Sequence, residues 1–510
     1  MADNLLDKAS ILLTPTAYND GSMLSVKPEN GDGDFTFSRG SAATRVNAQG
    51  LVENVQIISS ELVSNGDFSQ GGQDWTLGTG WSIGDGKVTF NDSSNGDIRT
   101  SNSVFTINKK YKIQLTVGGL TSGTAFFGIG DSSAANLVTY DNYDNGDYSF
   151  EVVAPNGLEL RIYATTSSGS SFFITNISVK EITDDTDLPR IDYTDGCGSW
   201  LLEPQSTNLI TYSEDFSSLN IRDNAVVTSN QIISPSGLLD ADEITFDGTL
   251  YGRVEAFVSA TNGATYSISV YLKNKDLSDV TQVWLGFAQT GQGQFITITN
   301  EWQRYEITLA ANGTTEYPRI QFSGTGSLYA WGFQTEQQSY ATSYIPTNGA
   351  IATRLADVAT NSGNSTLINS TEGVLYAEIA ALADDGSTRV IQLSDGTNSN
   401  RIFIGYWTGS NNIRFALTSG GVIQTFQGST SYDILNLNKI AFKFKENDFA
   451  LWINGVEAVT DTSGITFPIG TLSQLDFDSN LSAYFYGKVK AVAVYKEALT
   501  DAQLQSLTTI

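Results

Sequence analysis

Histidine is absent from the 510 residues, and there is a single cysteine, Cys197. Without imidazole there is no serine–histidine triad, no papain-like cysteine–histidine pair, no histidine-bound zinc or iron and no imidazole pH switch. One thiol can neither close an internal disulfide nor build a Cys-x-x-Cys metal framework, so stability has to come from packing, with or without oligomerisation. Basic residues are scarce: 28 Lys and Arg face 55 Asp and Glu, a net charge of −27. Such a chain is repelled by phosphate backbones and anionic lipid surfaces, which argues against nucleic-acid partners and membrane-surface roles. No stretch of about 18 apolar residues occurs. The start, Met1-Ala2-Asp3-Asn4-Leu5-Leu6-Asp7, lacks the basic region and apolar run of a secretory signal. The expectation is a soluble protein made in a cytoplasm, with no membrane insertion.

What is present favours strands. Hydrophobic residues make up 40% and aromatic residues 11% of the chain, enough for sizeable cores. The length exceeds one ordinary sandwich and predicts three or four domains. Period-two alternation, as in Tyr111, Ile113, Leu115, Val117 and in Tyr266, Ile268, Val270, Leu272, predicts half-buried antiparallel strands. Turn clusters such as Asn65-Gly66-Asp67 and Asp144-Asn145-Gly146-Asp147 separate them. Helical spacing is confined to residues 4–13 and to Leu499–Leu507, the latter opened by Thr500-Asp501 as a cap. The predicted class is all-β: tandem antiparallel β-sandwiches of jelly-roll type behind a short N-terminal attachment segment.

The chain repeats itself. Leu62-Val63-Ser64-Asn65-Gly66-Asp67-Phe68-Ser69 aligns with Ile210-Thr211-Tyr212-Ser213-Glu214-Asp215-Phe216-Ser217. Tyr111-Lys112-Ile113 and Tyr266-Ser267-Ile268 follow, then Phe150-Glu151-Val152 and Tyr305-Glu306-Ile307, at an interval of 39 residues in both copies. Arg161-Ile162 and Arg319-Ile320 come next, and each copy closes on an aromatic strand. Two copies of one sandwich account for these matches; the alternative is chance similarity among generic strands. A different pattern begins near Glu372 and ends at Gly487–Tyr495, a third all-β unit of about 140 residues.

Copy one, with Ser64-Asn65-Gly66-Asp67-Phe68-Ser69, Trp75, Trp81 and the close Ile174-Thr175-Asn176-Ile177-Ser178-Val179, resembles the jelly-roll carbohydrate-binding modules attached to polysaccharide hydrolases. Copy two resembles a diverged member. The resemblance implies that the Asn-Gly-Asp-Phe opening is scaffold and that aromatic side chains on the concave sheet meet sugar. The last unit resembles the laminin-G/concanavalin-like jelly roll, on Trp452-Ile453-Asn454-Gly455 and on the run from Val492 to Leu504. Phe35-Thr36-Phe37-Ser38-Arg39-Gly40-Ser41-Ala42-Ala43-Thr44-Arg45 and Pro189-Arg190-Ile191 through Leu202-Glu203-Pro204-Gln205-Ser206-Thr207-Asn208 resemble a connector of tailed-bacteriophage virion proteins. There the two pieces run on almost directly, so copy one reads as an insertion; Tyr340–Thr347 through Ala352-Thr353-Arg354 belongs to the same pattern. The expected division is 1–60 attachment segment and connector, 61–185 first sandwich, 186–207 connector, 208–347 second sandwich, 348–371 linker and 372–510 last sandwich.

Aromatic rings suit neutral sugars because the apolar face of a pyranose covers a ring while amides and carboxylates take its hydroxyls. The candidates are Trp81, Tyr140, Tyr143 and Tyr148 in copy one, Tyr251, Trp284 and Gln289 in copy two, and Tyr406, Trp407 and Arg414 in the last unit. Each ring has the alternative of being packed in a core or an interface. Asp144 to Asp147, Asp184-Asp185 with Asp187, and Asp476-Phe477-Asp478 could hold Ca²⁺ through oxygen ligands or simply shape turns. No metal site is assigned, and no carboxylate pair stands out as a glycosidase centre. Arg39 and Arg45 read either as an anchor to a partner virion protein or as a local turn lock.

These readings converge on a non-enzymatic structural protein of a phage virion, a tail or head fibre or receptor-binding subunit. Its first 60 or so residues would contact other virion proteins, its sandwiches would hold host-surface glycan, and fibre analogy suggests a homotrimer. The alternatives are a capsid decoration or fibre-base protein making protein contacts alone, and a bacterial polysaccharide-degrading enzyme or its accessory module.

Overall fold

The computed structural model describes residues 5–91, 94–121, 124–131, 133, 136–165, 171–248, 251–276, 280, 282–288, 291–479 and 482–510. Alternating sequence becomes alternating burial: in Lys110–Gly118, Tyr111, Ile113, Leu115 and Val117 point into a core while the residues between them are half-exposed. The protein is all-β, a series of two-sheet sandwiches each with its own core, Leu239 of the second packing into the core of the first.

The repeat is realised strand for strand. In the first sandwich one sheet runs Gly146–Val153, Lys110–Gly118, Phe172–Asp184, Lys87–Phe90, Trp81–Gly84, and the other Asn136–Tyr143, Ala125–Asp131, Leu160–Ala164, Gly96–Thr100, Trp75–Leu77. The second sandwich repeats that order with Gln303–Ala310, Thr265–Asn274, Thr325–Glu336, Leu239–Asp247, Ala225–Ile233 and Gln292–Thr297, Gln282–Phe287, Pro318–Phe322, Gly252–Glu255, Asn220–Arg222. Finer details repeat as well. The hydroxyl of buried Tyr111 accepts the backbone N–H of Thr106 at 2.6 Å, and that of Tyr266 accepts Thr261 N–H at 2.8 Å. Both central strands carry a bulge, at Gln114/Thr116 and at Ser269/Tyr271. Within the Asn-Gly-Asp-Phe opening, a Cβ on Gly66 would lie 1.9 Å from the Ile177 carbonyl oxygen, so only glycine fits.

The first sandwich ends where it begins, because Ile57–Ile58 pairs with the tail of Phe172–Asp184, Ile58 opposite Ile182 and Ile57 opposite Asp184. An insertion with adjacent ends can be removed without stretching the chain. Excising residues 59–183 behind a short Gly-Ser bridge is expected to leave the melting transition of the C-terminal sandwich within about 4 °C, roughly 1 kcal/mol. A larger fall would show that the insert supports the rest.

The leading segment departs from the reading of an attachment arm. The helical spacing over 4–13 gives only a 3-10 turn, Leu5–Lys8, followed by the strand Ile11–Leu13, all three of whose residues are buried. In the C-terminal sandwich, Glu372–Ala381, Asn438–Lys445, Phe449–Ile453 and Val456–Asp461 extend from one side of Gly487–Tyr495. The other edge of that strand is covered by Ser199–Leu202, pairing Trp200 with Val489, and by Ile11–Leu13, pairing Ile11 with Val494. Met23, Phe35, Phe37, Trp200 and Leu202 join the same core as Phe442 and Val492. An open edge strand is a liability, and upstream chain closes this one. The closing helix, Asp501–Thr508, is capped as expected: Thr500 and Gln503 form a reciprocal box, and Leu504 and Leu507 pack into a cluster with Trp452.

The connector motifs meet in a buried ion cluster. Arg39 pairs with Asp357 at 3.1 Å, Arg190 with Glu203 at 2.7 Å and with Asp357, and Arg354 with Glu203 at 2.6 Å. These side chains are 0–3% exposed. Burial pushes the Glu203 carboxyl up, but Arg354 and Arg190 outweigh it and hold it down at about 2. Arg45 pairs with Glu53 at 3.0 Å. Arg39 is therefore spent internally, and the anchor reading is corrected: a guanidinium this deep cannot reach a partner.

Candidate functional site

In a strand whose odd residues fill the core, the even ones form the outer face. Val283, Leu285 and Phe287 point inward, so Trp284 lies on the outside of the second sandwich. Its indole lies flat across two glycines paired in register, Gly286 and Gly293. A Cβ on Gly286 would approach the ring to 2.7 Å and one on Gly293 to 2.5 Å. Phe295, directly opposite Trp284, is 69% exposed. Beside the rings Arg319 stands 6.0 Å from the indole centroid and donates to Gln321 Oε1 and to Glu255 Oε2, each at 2.9 Å. Arg222 also reaches Glu255, at 2.8 Å, and Arg253 reaches Asp223 at 3.0 Å. The result is a flat aromatic floor bordered by fixed amide, guanidinium and carboxylate groups.

The first sandwich keeps the frame with the aromatic moved to the neighbouring strand. Tyr163 faces Gly128 across the pair where copy two has Gln321 facing Trp284. Arg161 lies 4.6 Å from the Tyr163 centroid, and Asp97 receives Arg99 at 2.9 Å as well as Arg161. On the C-terminal sandwich the outer side of Arg401–Tyr406, Ile413–Ser419 and Val422–Ser429 carries three rings, of which Phe403 is buried against Val390 and Ala416 and Phe426 is 37% exposed. Phe403 stacks on Trp407, with centroids 5.6 Å apart and planes at 10°, and Trp407 meets Phe426 edge-on at 5.2 Å. Arg401 lies over Phe403 at 5.4 Å and Arg414 over Phe426 at 5.2 Å. Where the second sandwich, connector and C-terminal sandwich meet there is also a cleft of 1030 Å³ lined by Tyr193, Tyr271, Trp302, Arg304 and Lys488.

Several sequence candidates are corrected by burial. Trp81 is 7% exposed and packs on Phe90 and Phe172, at 5.1 and 5.8 Å. Tyr143 stacks on Phe127 at 4.3 Å and meets Tyr148 at 5.0 Å; both are buried, and burial pushes their phenols above the usual range. Tyr406 is 1% exposed and donates to the Ile379 carbonyl at 3.0 Å. Tyr406 shares the phase of Ile402 and Ile404, a signal that already placed it inside. Tyr251 is exposed ahead of Gly252–Glu255, and Trp284, Trp407 and Arg414 lie on outer faces. Tyr140 lies on the strand Asn136–Tyr143, and Gln289 lies outside the described residues. Tyr163, Phe295, Arg319, Arg401 and Phe426 were missed, although strand phase would have found Tyr163 between Ile162 and Ala164.

The acidic clusters are occupied by turns and pairs. Asp144 N–H donates to the Tyr148 hydroxyl at 3.0 Å, Asp147 accepts Thr116, Asp185 accepts Lys110, and Asp187 caps the N–H groups of Arg39 and Gly40. Asp476 accepts Asn361 N–H and Gln474. Among the described residues no group of three or more Asp, Glu, Cys or His is arranged to hold a metal ion. Three other carboxyls are perturbed by burial: Glu214 up to about 7, with Asp240 nearby adding to it, Asp240 up to about 6 and Asp242 up to about 7. Glu214 accepts the Tyr344 hydroxyl at 2.8 Å, and Asp242 accepts Phe216 N–H at 2.8 Å and Asn230 N–H at 3.0 Å. The folded state keeps protons that the unfolded chain releases above its ordinary carboxylate values, so stability falls as pH rises until about 7 is passed. Thermal melts are expected to show the second sandwich losing about 2–4 kcal/mol between pH 5 and 8. The double variant Glu214→Gln/Asp242→Asn should flatten that profile, and an unchanged slope would assign the perturbation elsewhere.

Residues 356–505 match a family model described as the Concanavalin A-like lectin/glucanases superfamily, so the C-terminal unit contains a concanavalin-like domain. No curated protein matches the chain. Among solved structures, the chain is similar to the carbohydrate-binding module of a Ruminococcus gnavus IT-sialidase bound to α2,6 sialyllactose. Identity there is 16%, the match covers 28% of this chain and 86% of that one, and the TM-score is 0.24. A tandem pair of carbohydrate-binding modules from Paenibacillus barcinonensis is 10% identical over 56% of this chain and 98% of its own, with a TM-score of 0.21. Domain 4 of an extracellular arabinanase from Geobacillus stearothermophilus, in complex with arabinotriose, is 18% identical over 34% and 81%, with a TM-score of 0.25.

Proposed function

We propose that this chain is an adhesive protein that holds carbohydrate on the outer faces of its sandwiches, as part of a tailed-phage tail or head fibre or receptor-binding subunit. One observation carries the glycan reading: the Trp284 indole laid flat on Gly286 and Gly293, with exposed Phe295 beside it. A ring in that position serves no core; it offers an apolar plane, and Gln321 and Arg319 supply hydrogen bonds at its border. Of the perturbed carboxyls, Glu214 and Asp242 are engaged in internal and capping bonds, which supports binding over bond cleavage. The phage reading rests on the two-part connector pattern, and a homotrimer would multiply weak sites into avidity.

The full chain is expected to bind at least one member of a panel of bacterial surface polysaccharides. Trp284→Ala should weaken that binding about tenfold or more, equivalent to about 1.4 kcal/mol. No binding across the panel would overturn the proposal. Native mass would report whether three 55.0 kDa chains associate. A second reading, a decoration or fibre-base protein making protein contacts alone, is favoured by exposed Val422 and Ile423 on the edge strand Val422–Ser429. Unchanged adsorption of particles carrying Trp284→Ala would select it.

A further inference from the structure

The arginines divide in an informative way. The sequence has 13 of them. Ten are ion-paired, and the three without an acidic partner among the described residues are Arg304, Arg401 and Arg414. In a chain where acids outnumber bases 55 to 28, partners are abundant, so an unpaired guanidinium is the exception to explain. Each of the three lies over an aromatic ring, and two of them share the outer face of the C-terminal sandwich.

We infer that this face, presenting Arg401, Trp407, Arg414 and Phe426 over the buried ring of Phe403, binds an anionic saccharide carrying carboxylates. The inference rests on the proposed glycan binding and names the ligand class at one of its faces. Arg414 pairs in register with Gly405, four residues along the strand from Arg401, so the two α-carbons are about 14 Å apart. Phe403 lies at the midpoint, buried under Arg401; Phe426 shares its row across Ala416, and Trp407 follows two residues beyond Gly405 with its ring against Phe403 and Phe426. A short oligosaccharide laid along this line would cover Trp407 and Phe426 with its apolar faces and bring carboxylates to both ends. A guanidinium matches a planar carboxylate with two parallel N–H donors, and stacking on a ring fixes its plane in advance. Arg401 spends Nη1 on its neighbours, donating from it to Asn398 Oδ1 at 2.8 Å and to Ser479, which leaves Nη2 for a ligand, while its Nε is buried. On the same face the Gln392 amide, opposite Phe403 in register, is fully buried with neither polar atom hydrogen-bonded. The net charge of −27 does not forbid an anionic ligand, because at physiological salt it is screened beyond about 8 Å and the local pair decides.

The test uses the full chain against polygalacturonate, hyaluronan and polysialic acid, each also in carboxyl-esterified form, beside neutral polysaccharides. Binding to at least one carboxylated polymer is expected, weakening about tenfold on esterification and also in Arg401→Gln/Arg414→Gln, and falling as salt rises. The single variant Trp407→Ala should weaken binding of the same polymer. Melting curves would show that the variants fold. Binding to neutral polysaccharides alone would overturn the inference and leave the glycan reading standing, whereas no binding to any polysaccharide would remove both. A double variant that changes native mass but not polymer binding would also overturn it, making the face a subunit contact.

Discussion

Replacing Glu203 by alanine is expected to destabilise the junction of the three sandwiches by about 3–5 kcal/mol, the cost of breaking a buried ion pair from one side. Glu203 takes Arg190 at 2.7 Å and Arg354 at 2.6 Å, and it also accepts Ser343 N–H at 2.7 Å and the Ser343 hydroxyl at 2.6 Å. Its removal leaves two guanidiniums out of water with Asp357 as the remaining carboxylate, already shared by Arg39 and Arg190. The arginines come from both connector pieces and from the strand Ala352–Arg354, so the loss should loosen all three segments together. Earlier onset of thermal unfolding and faster proteolysis near residues 186–207 and 348–371 would report it. Because Glu203 is held at about 2 by the arginines, its contribution persists above the ordinary carboxylate range and is lost as pH falls toward 2. Glu203→Ala should therefore differ most from the parent at neutral pH and least in acid. A variant as stable as the parent at pH 7 would show that the cluster contributes specificity and not stability.

A fragment starting at residue 348 is expected not to fold, although it contains nearly all of the strands of the C-terminal sandwich. Truncation would remove Ile11, Leu13, Met23, Phe35, Phe37, Ile191, Trp200 and Leu202 from a shared core. Buried side chains of this kind contribute about 1.5–3 kcal/mol each, together more than the roughly 5–15 kcal/mol by which a domain is stable. It would also bare the edge of Gly487–Tyr495, whose N–H and C=O groups are paired by Ser199–Leu202 and Ile11–Leu13. An open, apolar edge of this kind favours aggregation. Fusing residues 1–58 and 184–207 to the fragment should restore a cooperative transition. A soluble fragment with a sharp melt would disprove the interdependence.

Strand phase explains which functional candidates were legible. Trp284 and Trp407 could be placed outside because their neighbours alternate with known core residues. Tyr406 was misread against the same rule, since Ile402 and Ile404 fix its phase inward. Trp81, Tyr143 and Tyr148 failed for another reason. Trp81 and Tyr148 occupy strands near sheet margins, where local sequence gives no indication that Phe90, Phe127 and Phe172 close over them. The glycines flattening the floor under Trp284 were visible as residues but meaningless until Gly286 and Gly293 were known to pair.

The sequence by itself determined the strands, the turns and the duplication, because period-two alternation and turn chemistry act within a few residues. Tertiary structure alone decided that the leading segment completes the last sandwich and that Arg39, Arg190, Glu203, Arg354 and Asp357 converge. Edge closure and charge compensation depend on partners up to 484 residues away, as between Ser10 and Val494, and no local pattern encodes which distant strand or counter-ion will arrive.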